Sequence, residues 1–168
     1  MKAEERTDPP KSASEKEMLA SWLDYERDTM LWKIDGVSGQ NLRRPMVPSG
    51  TSLLGMIKHL GWVERGWFHK TFLGQDVDER VPWTKEDPDA DFRIEPGETT
   101  QQVIDFYKEE CRRSREIVAR ADVEDHAKRS DRTEFTLRWI LIHMIEETAR
   151  HNGHADILRE QIDGVTGE

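Results

Sequence analysis

The chain has 168 residues and a formal charge of −9, with 25 lysines and arginines against 34 aspartates and glutamates. That length fits one domain able to bury a core without staples. The acidic balance disfavours nucleic acid as a main partner, because binding there requires neutralising phosphates. One cysteine, Cys111, excludes an intrachain disulfide framework and a cysteine-based zinc cage, and makes a reducing, cytoplasmic compartment the easier reading. No run approaches 18 apolar residues, which excludes a membrane-spanning helix, and the N-terminus lacks the apolar stretch of a signal peptide.

In chain order, residues 1–13 (MKAEERTDPPKSA) are polar, hold two prolines and read as a flexible N-terminal tail ahead of a bundle over 14–164. The first helical segment runs from Ser14 to Asp35, with Met18, Leu19, Trp22, Leu23, Tyr25, Met30 and Ile34 as its apolar stripe and Gly36 as its stop. A turn-rich connection with Gly39, Pro45, Pro48 and Gly50 follows. The second segment starts at Thr51 or Ser52, both good caps, and ends by Gly74; Leu53, Met56, Leu60, Val63 and Trp67 recur at three- and four-residue steps. Residues 74–97 hold Pro82, Trp83, Pro88, Pro96 and Gly97 among acids and show no helical period. A connection of that length is usually functional or crosses the fold. The third segment opens at Thr99 with Gln102 three residues on, a capping-box pattern, and fades near Ala121. The fourth runs from Thr136 to Ile162, with Leu137, Ile140, Leu141, Met144, Ala155 and Leu158 facing inward and Gly164 behind it. No strand pattern competes. The expectation is an all-α, four-helix bundle with a long crossover connection between the second and third helices.

The chemistry concentrates on the fourth segment, which reads His143-Met-Ile-Glu-Glu147-Thr-Ala-Arg-His151-Asn-Gly-His154. On a helical wheel the apolar side chains centre near His151, and Glu147 lies one turn earlier, about 40° away. A four-residue step puts a carboxylate and an imidazole on adjacent turns of one face. Such a carboxylate calls for a cation, since burying it unpaired is costly. On the second segment His59 sits between Met56 and Leu60 on the core side and can reach the same point. Two imidazoles and a carboxylate suit zinc, non-haem iron or nickel, and three protein ligands leave positions open for water or substrate.

Each residue also has a plainer reading. His59 or His151 alone is commonly a satisfied core-edge histidine, Glu147 could pair with Arg138 or Arg65, and the three could form a metal-free hydrogen-bonded cluster. Glu146 and Arg150 point away from the core. His143 and His154 are candidates for orienting a ligand or for acid–base work, or are surface residues. Cys111 reads as inert and structural. Trp22, Trp62, Trp67 and Trp139 read as packing, whereas Trp83 stands where a lid or pocket wall would be. There is no H-E-x-x-H, no glycine-rich phosphate loop and no G-x-S-x-G, and no second Glu/His pair for a di-iron bundle.

The strings HMIEETARHNGHADILREQIDG and SLLGMIKHLGWVERGWF resemble the DinB superfamily (DinB/YfiT-like metalloenzymes), in an actinobacterial-type branch. The resemblance covers nearly the whole chain and is most specific at Lys58-His59-Leu60 and from Glu147 to Leu158. It implies a bundle with a crossover after the second helix and one divalent metal held by His59, Glu147 and His151. Many relatives carry histidine where this chain has Glu147; the glutamate version looks like mycothiol-dependent maleylpyruvate isomerase, whose further C-terminal domain is not seen here. Several members use mycothiol or bacillithiol as cosubstrate, and relatives often form homodimers.

The resemblance therefore implies a metal-dependent transferase that activates a low-molecular-weight thiol. The alternatives are a non-catalytic metal- or small-ligand-binding stress protein, and a metal-dependent hydrolase whose nucleophile is water. Arg44, Arg65 and Arg150 are candidates to cradle the thiol, with Trp83 shaping the pocket.

Overall fold

The computed structural model describes residues 6–75 and 81–167. Helix α1 (Glu15–Ile34) opens on Ser14, whose hydroxyl accepts from the Glu17 amide. A short α2 (Gly39–Arg43) lies in the first connection. Helix α3 (Leu53–Glu64) takes Ser52 as its cap and runs on as a π-helix over Arg65–Phe72. The crossover carries a single 3₁₀ turn, Ala90–Phe92, and residues 76–80 of it lie outside the described ones. Helix α4 (Thr100–Arg120) shows the full capping box of Thr99 and Gln102. Helix α5 (Leu137–Asp163) is capped by Thr136 and ends at Gly164, whose φ of 77° is the left-handed conformation glycine adopts without strain. No helix among the described residues is long and apolar enough to cross a membrane.

The packing follows from where each helix leaves its apolar side chains. One end of the core joins Met30 and Ile34 from the end of α1, Leu53 to Leu60 from the start of α3, Val103, Tyr107 and Cys111 from the first half of α4, and Leu158 from the end of α5. The other end joins Leu23, Phe68, Phe72, Val118 and Leu137 to Met144. Helices α1 and α5 therefore run the same way and pack side by side, while α3 and α4 run the opposite way as a second pair. Between α3 and α4 the chain must return the full length of the bundle, which accounts for the crossover expected from the sequence.

Two details depart from the periodic reading. Val63, at the end of α3, is only half-buried, and beyond Glu64 the wider π turn rotates the inward face, so Trp67 is half-buried too and Phe68 and Phe72 take the core positions. Trp22 stays 43% exposed on α1 rather than inside the bundle.

Between its apolar ends the core has a polar waist to which all four long helices contribute. Arg27 of α1 donates from Nε and Nη2 to the two oxygens of Glu64 at 2.7 and 2.6 Å. Arg65 donates to Glu110 Oε1 at 2.7 Å. On α5 the same level is occupied by Glu147, Thr148, His151 and Asn152, all buried.

Candidate metal centre

His59 leaves the middle of α3, and Glu147 and His151 leave the middle of α5 on adjacent turns. One ligand-type atom from each of the three lies within 4.8 Å of the others. Glu147 Oε1 stands 3.2 Å from His59 Nε2 and 3.2 Å from His151 Nε2. The two imidazole rings meet edge-on with centroids 4.9 Å apart. Arg150 reaches back one turn to pair with Glu147 Oε2, so Oε1 is the oxygen turned towards the imidazoles. Arg150 leaves the helix away from the core, as the wheel implies, and stays exposed; its pairing with Glu147 was not foreseen, because a wheel shows where a side chain leaves the helix and not how far a guanidinium bends. Arg138 and Arg65 are committed elsewhere, to Glu15 and Glu124 and to Glu110.

The donor set fits a divalent metal. Two imidazoles and a carboxylate converge from two helices, and the far nitrogen of His59 is anchored, its Nδ1 lying 2.7 Å from Asp91 Oδ2. Metal-binding imidazoles are commonly braced in this manner. The buried Nδ1 of His151 has no hydrogen-bond partner among the described residues. His151 and His154 both line an open cleft of about 920 Å³, so the cluster borders a space that admits small molecules. Val47, Ile94, Ile157 and Leu158 give the cleft an apolar wall, and Ser49 and Thr51 add hydroxyls.

Asp91 had no signal in the sequence. It is one of several acids in an aperiodic, proline-bounded stretch, and only the path of the crossover decides which of them is buried. Phe92, which stacks on His59 with centroids 4.0 Å apart and planes 16° from parallel, was missed for the same reason. The other candidates fall at different distances from the cluster. His154 is exposed at the edge of the cleft, with its ring 5.6 Å from that of His151. His143 stacks on Trp139 and meets Trp67 edge-on, about two turns before His151 on α5 and outside the cleft lining. Trp83 packs edge-on against Trp62 and does not line the cleft. Burial pushes the Cys111 thiol far above its ordinary range, consistent with an inert residue.

The cluster is strongly polarised. Hydrogen bonds to His151 and then His59 hold the Glu147 carboxyl well below the usual range, against the opposing effect of burial, with Arg150 helping. Burial works against a charged His59, yet its hydrogen bonds to Asp91 and Glu147 outweigh that and raise it above 6.5. In protein stripped of metal by a chelator, a raised histidine stabilises the fold fully below the unfolded value and ceases to do so as pH climbs through the folded one. Glu147 acts in the opposite sense, stabilising above 4.5 and losing that contribution as pH falls through its depressed value. The melting temperature of the stripped protein should therefore fall as pH rises from about 6 to about 8. His59→Gln should shorten that fall, and an identical slope in the two proteins would contradict it.

A family model described as mycothiol-S-transferase matches residues 18–164. No curated protein sequence matches the chain. The match runs from the first turn of α1 to the end of α5 and takes in the whole cluster, and a His–Glu–His set able to coordinate a divalent metal is consistent with metal-dependent thiol transfer. On the span of that match, the chain belongs to the mycothiol-S-transferase family.

Proposed function

We propose that His59, Glu147 and His151 bind one divalent ion (zinc, nickel or iron) and that the protein joins a low-molecular-weight thiol of the mycothiol type to an electrophile held in the adjoining cleft. The observation that carries the reading is the convergence of two imidazole nitrogens and one carboxylate oxygen in a cluster whose His151 lines that cleft. A divalent metal at this point supplies Lewis acidity, lowering the pKa of a coordinated thiol from about 8.5 so that the thiolate is available at neutral pH.

The chain's own residues do the remaining work. Arg150 holds Glu147 Oε2 and fixes which oxygen faces the imidazoles. The apolar wall of Val47, Ile94, Ile157 and Leu158 excludes water and packs the electrophile, while Ser49 and Thr51 offer hydroxyls to a sugar. The thiol loses its proton, sulfur forms a bond to the electrophilic carbon, and the leaving group departs with the electron pair of the bond that breaks. His154, exposed at the cleft edge, is placed to carry a proton to or from solvent. His143 and Trp83 stand outside the cleft lining and have no assigned step.

The test is cobalt substitution followed by titration with mycothiol. A sulfur-to-cobalt charge-transfer band should rise to one equivalent per chain, and glutathione should produce it more weakly. A cobalt spectrum unmoved by any thiol, with substrate turnover in thiol-free buffer, would instead establish a hydrolase.

A further inference from the structure

The crossover does more than return the chain to the start of the bundle. Its Ala90–Phe92 turn crosses α3 at the level of His59 and is held there by several contacts. Lys58, nearly buried beside His59, donates from Nζ to the Arg93 carbonyl and to Glu98 Oε2, both at 2.8 Å. One turn earlier on α3, Gly55 leaves room for the Phe92 carbonyl; a Cβ there would collide with that backbone oxygen. The Phe92 ring then lies flat on one face of the His59 imidazole.

Asp91 completes the arrangement. Its side chain is 7% exposed, and a buried carboxylate is costly unless it is paired. Oδ2 meets His59 Nδ1 at 2.7 Å, and Oδ1 has no hydrogen-bond partner among the described residues. No arginine or lysine neutralises it in the described structure; its hydrogen-bonding partner is an imidazole whose other nitrogen faces Glu147 and His151.

From this geometry we infer that Asp91 is a positioning residue for the metal centre, holding the proton of His59 on Nδ1 so that the Nε2 lone pair is presented to the ion. Phe92 and Gly55 are the parts that let the turn lie close enough to do so. The inference rests on the metal reading above. Nδ1–H donates to the carboxylate, and the ring cannot rotate without breaking that bond and leaving the Phe92 face. A negative charge behind the ring also raises the basicity of the ligating nitrogen.

The experiment is zinc affinity of the chelator-stripped protein, measured by competition with a coloured chelator, for wild type, Asp91→Ala and Asp91→Asn. Losing such a partner typically costs 10- to 100-fold in metal affinity. Asp91→Ala should weaken zinc by about that factor while far-ultraviolet circular dichroism stays helical. Asp91→Asn keeps an acceptor of the same shape without the charge and should fall between the two. Nitrogen-15 spectra of the zinc-loaded proteins supply a readout that a merely structural role would not move. The His59 Nδ1 proton should be sharp and far downfield in wild type, retained in Asp91→Asn and lost to exchange in Asp91→Ala. Wild-type zinc affinity in both variants overturns the inference while leaving the metal site standing. If Asp91→Ala does not fold, wild-type affinity in Asp91→Asn together with an unshifted Nδ1 proton overturns it. Failure of wild type itself to bind zinc overturns the metal reading and this inference together.

Discussion

Protein carrying His151→Ala is expected to fold as wild type does and to purify with no bound divalent metal, where wild type is expected to carry one ion per chain. His151 is the residue whose loss separates the two properties. Its Nε2 faces Glu147 at 3.2 Å, and its Nδ1 makes no hydrogen bond among the described residues, so truncation leaves few new polar groups stranded. Glu147 keeps His59 and Arg150 as partners and is not left as an isolated buried charge. A two-donor remnant of one imidazole and one carboxylate lacks the three-ligand set of an open zinc site. Elemental analysis beside circular dichroism decides the matter. Stoichiometric metal in a folded His151→Ala protein would remove His151 from the site and with it the thiol-activation scheme.

The second large effect lies away from the cleft. Glu64→Ala is expected to destabilise the fold by about 3–5 kcal/mol, the range for removing one partner of a buried ion pair. Arg27 and Glu64 are 2% and 1% exposed and meet through two N–H···O bonds, so the variant would leave a guanidinium in the core with Asp24 as its one remaining carboxylate partner among the described residues. For a chain of this size that corresponds to a drop of about 6–20 °C in melting temperature. Replacing both partners, Arg27→Met with Glu64→Leu, should recover most of the loss, because the charges are then removed together. Urea denaturation of the three variants is the measurement. A Glu64→Ala midpoint within error of wild type would mean that water reaches Arg27 in solution.

Helix positions were legible because each long segment carries both a period and a punctuation mark. Ser14, Ser52, Thr99 and Thr136 all cap as the sequence suggests, and Gly164 ends α5. The convergence of His59 with Glu147 and His151 was legible for a related reason: a four-residue step fixes a face, and one histidine among core positions fixes another. What could not be read depends on the path of irregular backbone. Asp91 is chemically indistinguishable from its acidic neighbours until the crossover is laid over α3. The π turn after Glu64 is invisible for a different reason, since three- and four-residue spacing over so short a stretch also describes an ordinary helix. Arg150 is exposed as expected, but its partner was not legible, because a long side chain can turn back to a charge one turn earlier on its own helix.

The polar waist has one more consequence. Helices with unbroken apolar faces can slide past one another by a turn, about 5.4 Å, and still bury much the same surface. Here such a slip of α3 against α1 or α4 would carry Glu64 away from Arg27 and Arg65 away from Glu110, leaving four charges in an apolar core. The ion pairs thus act as a register lock, excluding the shifted alignments rather than deepening the native one. Because His59 stands barely more than one turn from Glu64 on the same helix, the lock also sets the height at which the imidazole meets α5.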